Sequence, residues 1–329
     1  MGVDGRSVTG AFVLGRPRSP LVPLRGGSSA GRWKLDTDRG RWLVKTLRSP
    51  ADWQLCAMRV SGTLERAAAT AGVSMAVPVE PRGDAVGYWA RLDEDVFARV
   101  CTWVDVAGPT VVDPELATWA GATLAAINRL ELPGDPAAEA AYPVHPVPDW
   151  SDWLATATAA GVLTDRQARA LLRVVTEASR RVHAELAAGP RFHLAHRDVS
   201  RTNILLTSHG PVLVDFDHAG PEVPWWEVVH QVFNLAWDLG RPQPAPHIVR
   251  AALEGYLDAG GTPGRASAAA FTGMLAANLA WLAYNLWLAT GLRPCSASRR
   301  VIAAGVVQDA SRAIITIVTS TDRWIALLG

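Results

Sequence analysis

Lysine is nearly absent from this chain. Of its 32 basic residues only Lys34 and Lys45 are lysines, so arginine serves almost wherever a generic positive charge will do. A lysine that survives such a bias asks for a specific reason. Cysteine is equally sparse. Cys56, Cys101 and Cys295 are odd in number, far apart and without CxxC spacing, which excludes a disulfide framework and a cysteine zinc site and fits a reducing cytoplasm. Net charge is lacking too: at +1 the chain has no basic field to gather nucleic acid. The first twenty residues scatter arginines and hold no sustained apolar core, which argues against a signal peptide. Between Arg265 and Arg293 no charge appears, and the stretch is long enough to cross a bilayer. It also contains Thr272, Asn278, Asn285, Thr290 and two glycines, polar content that lipid penalises, so a buried helix of a soluble domain is expected.

What is present is a globular chain of 329 residues, 49% hydrophobic, enough for one large or two medium domains. The first hundred residues alternate short β-type runs with turns. PLVPLRGG, GRWKLDT and RWLVKTL are separated by a Gly/Ser cluster and by DRG, a hairpin-like turn. Residues 52–71 read as a helix, and GYWARL and VFARVCTWV as two further strands. After Gly108 alanine-rich helical patterns take over, beginning with PELATWAGATLAAINRL. Residues 131–150 carry five prolines in twenty positions and read as an irregular crossing. Thr164 with Gln167 forms a capping box for a helix that Gly189-Pro190 ends. NILLTSHGPVLVDFD then reads as a hairpin turning at His209-Gly210. No internal repeat is visible.

Phosphoryl transfer needs hard-oxygen metal ligands, neutralisation of phosphate charge and a group that orients the attacking hydroxyl. HRDVSRTN, residues 196–203, offers Asp198 and Asn203 on one short turn. Twelve residues beyond Asn203, at the end of an apolar strand, stands Asp215 in VLVDFD. A hairpin between them returns Asp215 beside Asn203. Lys45 is the candidate phosphate cation, since a compact ammonium suits a point contact better than a forked guanidinium.

These motifs resemble the aminoglycoside phosphotransferase and choline kinase-like family, which shares the protein-kinase fold. The resemblance runs over residues 20–295. It implies an α+β, bilobal architecture, with a small antiparallel-sheet lobe over residues 1–104 and a larger helical lobe over 105–329. By the same resemblance, Asp198 accepts the proton of the acceptor hydroxyl, and Asn203 and Asp215 hold Mg2+. Lys45 binds the α/β-phosphates of ATP or GTP, with Glu65 as its ion-pair partner. Gly26, Gly27, Ser28 and Ser29 would cover the phosphates, and Trp103 and Val104 would lie in the hinge strand that holds the base. Many relatives have glycine where Arg197 stands, so the loop looks locally more like a protein kinase's, but no Ala-Pro-Glu signature follows, which favours a small-molecule acceptor over a protein. Trp225, Trp226 and Glu227 are the acceptor candidates, as they follow the metal strand. Residues 190–329 hold eleven arginines against ten carboxylates, so a polycation would meet little acidic field.

The expected function is transfer of the γ-phosphate to a hydroxyl of an antibiotic or related natural product, giving resistance by inactivation. The alternatives are a metabolic or biosynthetic kinase of an amino alcohol, sugar or nucleoside, and a catalytically silent nucleotide-binding module. The expected setting is a cytoplasmic monomer or homodimer with no nucleic-acid or membrane partner.

Overall fold

A computed structural model describes residues 3–24, 31–138 and 141–329. The short helix α1 (Gly5–Ala11), capped by the Asp4 carboxylate on the Ser7 amide, leads into β1 (Val22–Pro23), β2 (Gly31–Thr37) and β3 (Gly40–Arg48). Helix α2 (Asp52–Thr70) follows, then β4 (Ala85–Val86), β5 (Trp89–Asp93) and β6 (Val96–Thr102). The six strands form one antiparallel sheet in the order β1-β2-β3-β6-β5-β4. Leu35, Val44, Ala90, Ala98 and Val100 bury one face of it against Val8, Phe12 and Leu14.

Side chains alternate across a strand, so the residue after Val44 must face the other way. That residue is Lys45. Its register partners are Arg32 on β2 and Arg99 on β6, which places three cations in a row across three adjacent strands. Like charges directly opposite one another destabilise a sheet, so this face requires carboxylates from elsewhere.

The rest of the chain is mostly helical: α3 (Pro114–Asn128), α4 (Val147–Ala159), α5 (Asp165–Ala187), α6 (Pro224–Ala236), α7 (Pro246–Asp258), α8 (Thr272–Thr290) and α9 (Ala297–Ile325). Between α5 and α6 lie β7 (His193–Ala195), β8 (Ile204–Thr207), β9 (Gly210–Leu213) and β10 (Gly220–Glu222). The α5 capping box forms as its sequence predicts. Helix α4 begins inside the proline-rich crossing, because Pro148 sits in its first turn, where a missing N–H costs no helical hydrogen bond. The β8–β9 hairpin pairs Thr207 with Gly210, so the turn is Ser208-His209, one residue earlier than expected.

Helix α8 occupies the uncharged stretch, with 12 of its 19 residues buried, and Asn278 and Asn285 donate to carbonyls one turn back. By length and composition α9 is apolar enough to cross a membrane; it packs on α5 and α8. Tryptophan fills much of this lobe. Trp150, Trp153 and Trp287 meet edge to face around His145, and Trp324 packs on Phe233, Phe271 and Trp237. Helices α3 and α7 approach so closely that a Cβ on Gly121 would lie 1.9 Å from the Ala252 carbonyl oxygen.

One seam ties the sheet lobe to the hairpin. The Leu213 amide donates to Ser74 O at 2.9 Å, Ala76 N–H to Leu213 O at 3.1 Å, and the Ser74 hydroxyl to Pro211 O at 2.8 Å.

Candidate active site

The segment 196–203 leaves β7 and is held largely through hydrogen bonds to its own backbone amides and carbonyls. His196 is fully buried, edge-on to Phe216, and its Nδ1 accepts the Asp198 amide at 3.2 Å. Burial drives its pKa down to about 4, so the ring is neutral and acts as a fixed acceptor. Arg197 has φ of 63°, the left-handed region that glycine enters freely and other residues enter at a cost. Its side chain compensates. Nε donates to His218 O at 2.8 Å, and the guanidinium lies 4.4 Å from the Tyr142 ring centroid.

The Asn203 amide donates to Asp198 Oδ2 at 2.7 Å and to Asp198 O at 3.0 Å. This fixes the amide nitrogen toward Asp198 and turns the oxygen the other way. The Asn203 carbonyl accepts Val214 N–H at 2.9 Å, so the hairpin returns Asp215 beside it. Burial raises the Asp198 pKa, and the nearby Asp215 carboxylate adds to the rise, against His218, Ser200 and Asn203. A carboxylate destabilised in this way is a better proton acceptor than one in water.

Asp215, at φ 68°, meets the cation row from below. Lys45 Nζ donates to its Oδ1 at 2.7 Å, and Arg32 Nη2 to its Oδ2 at 3.1 Å. Asp217 is the second meeting point: its Oδ2 accepts Lys45 at 2.8 Å and its Oδ1 accepts Arg99 Nη1 at 2.7 Å. Burial pushes the Asp217 pKa up, but Lys45 and Arg99 overcome this and hold it far below the usual carboxylate range. Burial would likewise lower the Lys45 pKa, and Asp217 and Asp215 more than offset it. Glu65, from α2, does not pair with Lys45. It accepts Arg99 Nη2 at 2.6 Å, with the glutamate 1% and the arginine side chain 3% exposed. The lysine–glutamate pair expected from the sequence is thus replaced by a chain Glu65–Arg99–Asp217–Lys45–Asp215–Arg32. Three carboxylates answer the three cations of the sheet.

The other expected site residues fall in different places. Gly26, Gly27, Ser28 and Ser29 lie outside the described residues. Trp103 follows β6, but its N–H donates to Arg41 O at 3.1 Å and is not free for a nucleotide base; Val104, half-buried, comes next. Glu227 is not an acceptor ligand. It is fully buried, and Oε1 accepts the Arg197 amide at 2.9 Å, with His196 N–H also bonding this carboxylate. It therefore holds the 196–203 loop, and burial raises its pKa to about 7. Trp225 is engaged by the segment before α8: its Nε1 donates to Arg265 O at 3.2 Å and its ring packs on Gly264. Trp226 lines a cavity of about 220 Å3 with Tyr142, Phe192, Pro221 and Glu222. Tyr142 joins that cavity to the loop, its hydroxyl donating to Arg197 O at 3.4 Å. Glu222 is buried there, with a pKa raised to about 7. A larger depression, about 560 Å3, opens at the β2–β3 hairpin and touches none of these groups.

A divalent cation fits the donor set. Asp215 and the Asn203 amide offer hard oxygens from adjacent backbone, and two cations already sit on the Asp215 carboxylate. Among the described residues no cluster of three His, Cys, Asp or Glu forms a closed metal cage. Mg2+ is commonly held by one or two carboxylates together with substrate phosphates, so an incomplete protein set suits it.

The comparisons with known proteins agree with this geometry. The family model described as "Phosphotransferase enzyme family" matches residues 20–271, about three-quarters of the chain. The chain belongs to this family. No curated protein matches it by sequence. Among solved structures, a spectinomycin phosphotransferase bound to ADP and spectinomycin is similar over 97% of both chains, with a TM-score of 0.61 at 11% identity. An amicoumacin kinase in complex with AMP-PNP, Ca2+ and its ligand matches 93% of this chain and 91% of its own, with a TM-score of 0.61 at 15% identity. A microcompartment-associated aminopropanol kinase matches 93% of each chain, with a TM-score of 0.59 at 15% identity. The fold is that of the kinase-like members of the family, and the chain is a nucleotide-dependent small-molecule phosphotransferase.

Proposed function

We propose that this phosphotransferase moves the γ-phosphate of ATP or GTP to a hydroxyl of an antibiotic or related natural product in the cytoplasm. The supporting observation is the convergence of Lys45, Asp215, Asn203 and Asp198 within one hydrogen-bonded arrangement. Asp198 orients the acceptor hydroxyl and takes its proton, and burial raises its affinity for that proton. Asn203 and Asp215 hold Mg2+, which when bound screens the charge on the β- and γ-phosphates. Lys45, kept fully cationic by its two aspartates, binds the α/β-phosphates. Glu227 and His196 keep the loop in register by binding its amides, so that Asp198 needs no reorganisation during the reaction.

A second reading, a metabolic or biosynthetic kinase of an amino alcohol, sugar or nucleoside, draws support from the 220 Å3 cavity beside the loop. It is small, mostly apolar and carries one carboxylate, Glu222, which suits a compact acceptor better than a large polycation. Triphosphate consumption with ATP and with GTP, measured against a panel of hydroxylated antibiotics and small metabolites, separates the two readings. Acceptor-dependent ADP or GDP release that vanishes in Asp198→Ala is expected. Equal release by wild type and Asp198→Ala with every acceptor would refute both readings and leave a silent nucleotide-binding module.

A further inference from the structure

The mechanism above uses only Lys45 of the cation row; of the other two, Arg99 is buried against Glu65 and Asp217, and Arg32 is the exposed one. Arg32 stands directly opposite Lys45 in the β2–β3 register, so both side chains rise from the same face. Its main chain is fixed, because Arg32 O accepts the Leu24 amide at 2.8 Å. Its side chain is 37% exposed and makes one ion pair among the described residues, a single 3.1 Å contact to Asp215 Oδ2. Lys45 is held differently: its side chain is 6% exposed and gripped by both Asp215 and Asp217.

Both oxygens of Asp215 are therefore occupied by cations. A divalent ion on the same carboxylate would be repelled by both cations, so its approach favours the departure of one of them. Lys45 would give up a buried double contact, whereas Arg32 would give up a half-exposed single one, and ion pairs of that exposure contribute little. Arg32 is thus the partner that yields. Once released, its guanidinium stays tethered on the strand that faces Lys45, where the phosphates bind. A guanidinium's planar fork matches two phosphate oxygens, a geometry that an ammonium cannot offer.

We propose that Arg32 is a phosphate-binding residue, which rests on Asp215 in the ligand-free protein and exchanges that carboxylate for the terminal phosphates of the nucleotide. The proposal rests on the reading of Asp215 as a metal ligand. It assigns Arg32 two opposed effects: it competes with the divalent cation for Asp215, and it favours the triphosphate.

Two binding measurements without acceptor test it on the purified full chain. The first is Mn2+ affinity of the nucleotide-free protein, by electron paramagnetic resonance. The second is affinity for a non-hydrolysable ATP analogue with Mg2+, by calorimetry. Arg32→Ala is expected to bind Mn2+ more tightly than wild type and the analogue about tenfold more weakly, the loss of one charge-assisted contact. Arg32→Lys is expected to recover only part of the analogue affinity. Unchanged melting temperature and circular dichroism in both variants would establish that the fold is intact. Unaltered analogue affinity in Arg32→Ala, or a shift of both affinities in the same direction, overturns the proposal. Asp215→Asn serves as the separate arm. If it keeps wild-type Mn2+ binding, the metal reading fails and takes the Arg32 exchange with it; if it loses Mn2+ while Arg32→Ala behaves as wild type, only the exchange fails.

Discussion

The two halves of the site are held by opposite means. The loop 196–203 is fixed mainly through its backbone: the Asp198 amide on a buried uncharged His196, the Asp198 carbonyl on the Asn203 side-chain amide, and the Arg197 amide on the Glu227 carboxylate. The sheet-side half is fixed by six charged groups, Arg32, Lys45 and Arg99 against Glu65, Asp215 and Asp217. Backbone hydrogen bonds in a dry interior fix geometry and have little reason to change partners. Ion pairs at the edge of a cleft can exchange one anion for another, so this half can answer an incoming triphosphate. On the proposed mechanism, the loop supplies a preset base and the sheet a charge set that rearranges.

The largest expected effect breaks the loop's chemistry and leaves the sheet alone. Asp198→Ala should lower kcat by about 10^2–10^4 while nucleotide affinity, read by calorimetry, stays within a few-fold of wild type. Lys45→Met acts on the other half. It should cost about 10^2–10^3 in kcat/KM for the nucleotide, and Lys45→Arg should not restore it, because the forked head cannot meet Asp215 and Asp217 in the same space.

Arg99 sharpens the comparison. Arg99→Met leaves Glu65 buried with no cation on it, and such half-broken pairs cost about 3–5 kcal/mol. The double variant Arg99→Met/Glu65→Leu should recover much of that stability in urea titrations, yet keep a raised KM for nucleotide, since Asp217 has lost one of its two anchors. Additive losses in the double variant would show that Arg99 and Glu65 do not act as a pair.

The smallest effect concerns the loop's acceptor. Burial raises the Glu227 pKa to about 7 in the folded state, above its ordinary value of 4.5, so the folded state binds more protons than the unfolded state between those pH values. Its contribution to stability therefore falls as pH rises through that window. Glu227→Gln removes this dependence. The difference in melting temperature, variant minus wild type, should grow as pH is raised from 5 to 8; a constant difference would mean that Glu227 titrates normally.

Much of this was legible in the residues. Turn glycines, DRG and the Thr164–Gln167 box mark elements that form, and Asp198, Asn203 and Asp215 do converge. The partner of Glu65 was not legible, because VFARVCT reads as an apolar strand with one stray charge. The available signal was the charge itself: an arginine inside a buried strand needs a partner, and only the three-strand register shows that it stands beside Lys45. Glu227 was misplaced for a related reason. Proximity in sequence to the metal strand says nothing of which way a helix turns its first carboxylate. Helix α4 was hidden by prolines read as breakers, although at a helix start they are permitted.

The seam between residues 74–76 and β9 has a mechanical consequence. Because Ser74 and Ala76 are stitched to Leu213, two residues before Asp215, the lobes share an edge there and cannot part along it without breaking three bonds. Any relative movement of the two sides that keeps these bonds must turn about this stitched edge, like a book about its spine. Asp215, two residues along the chain from the stitched Leu213, stays beside that edge.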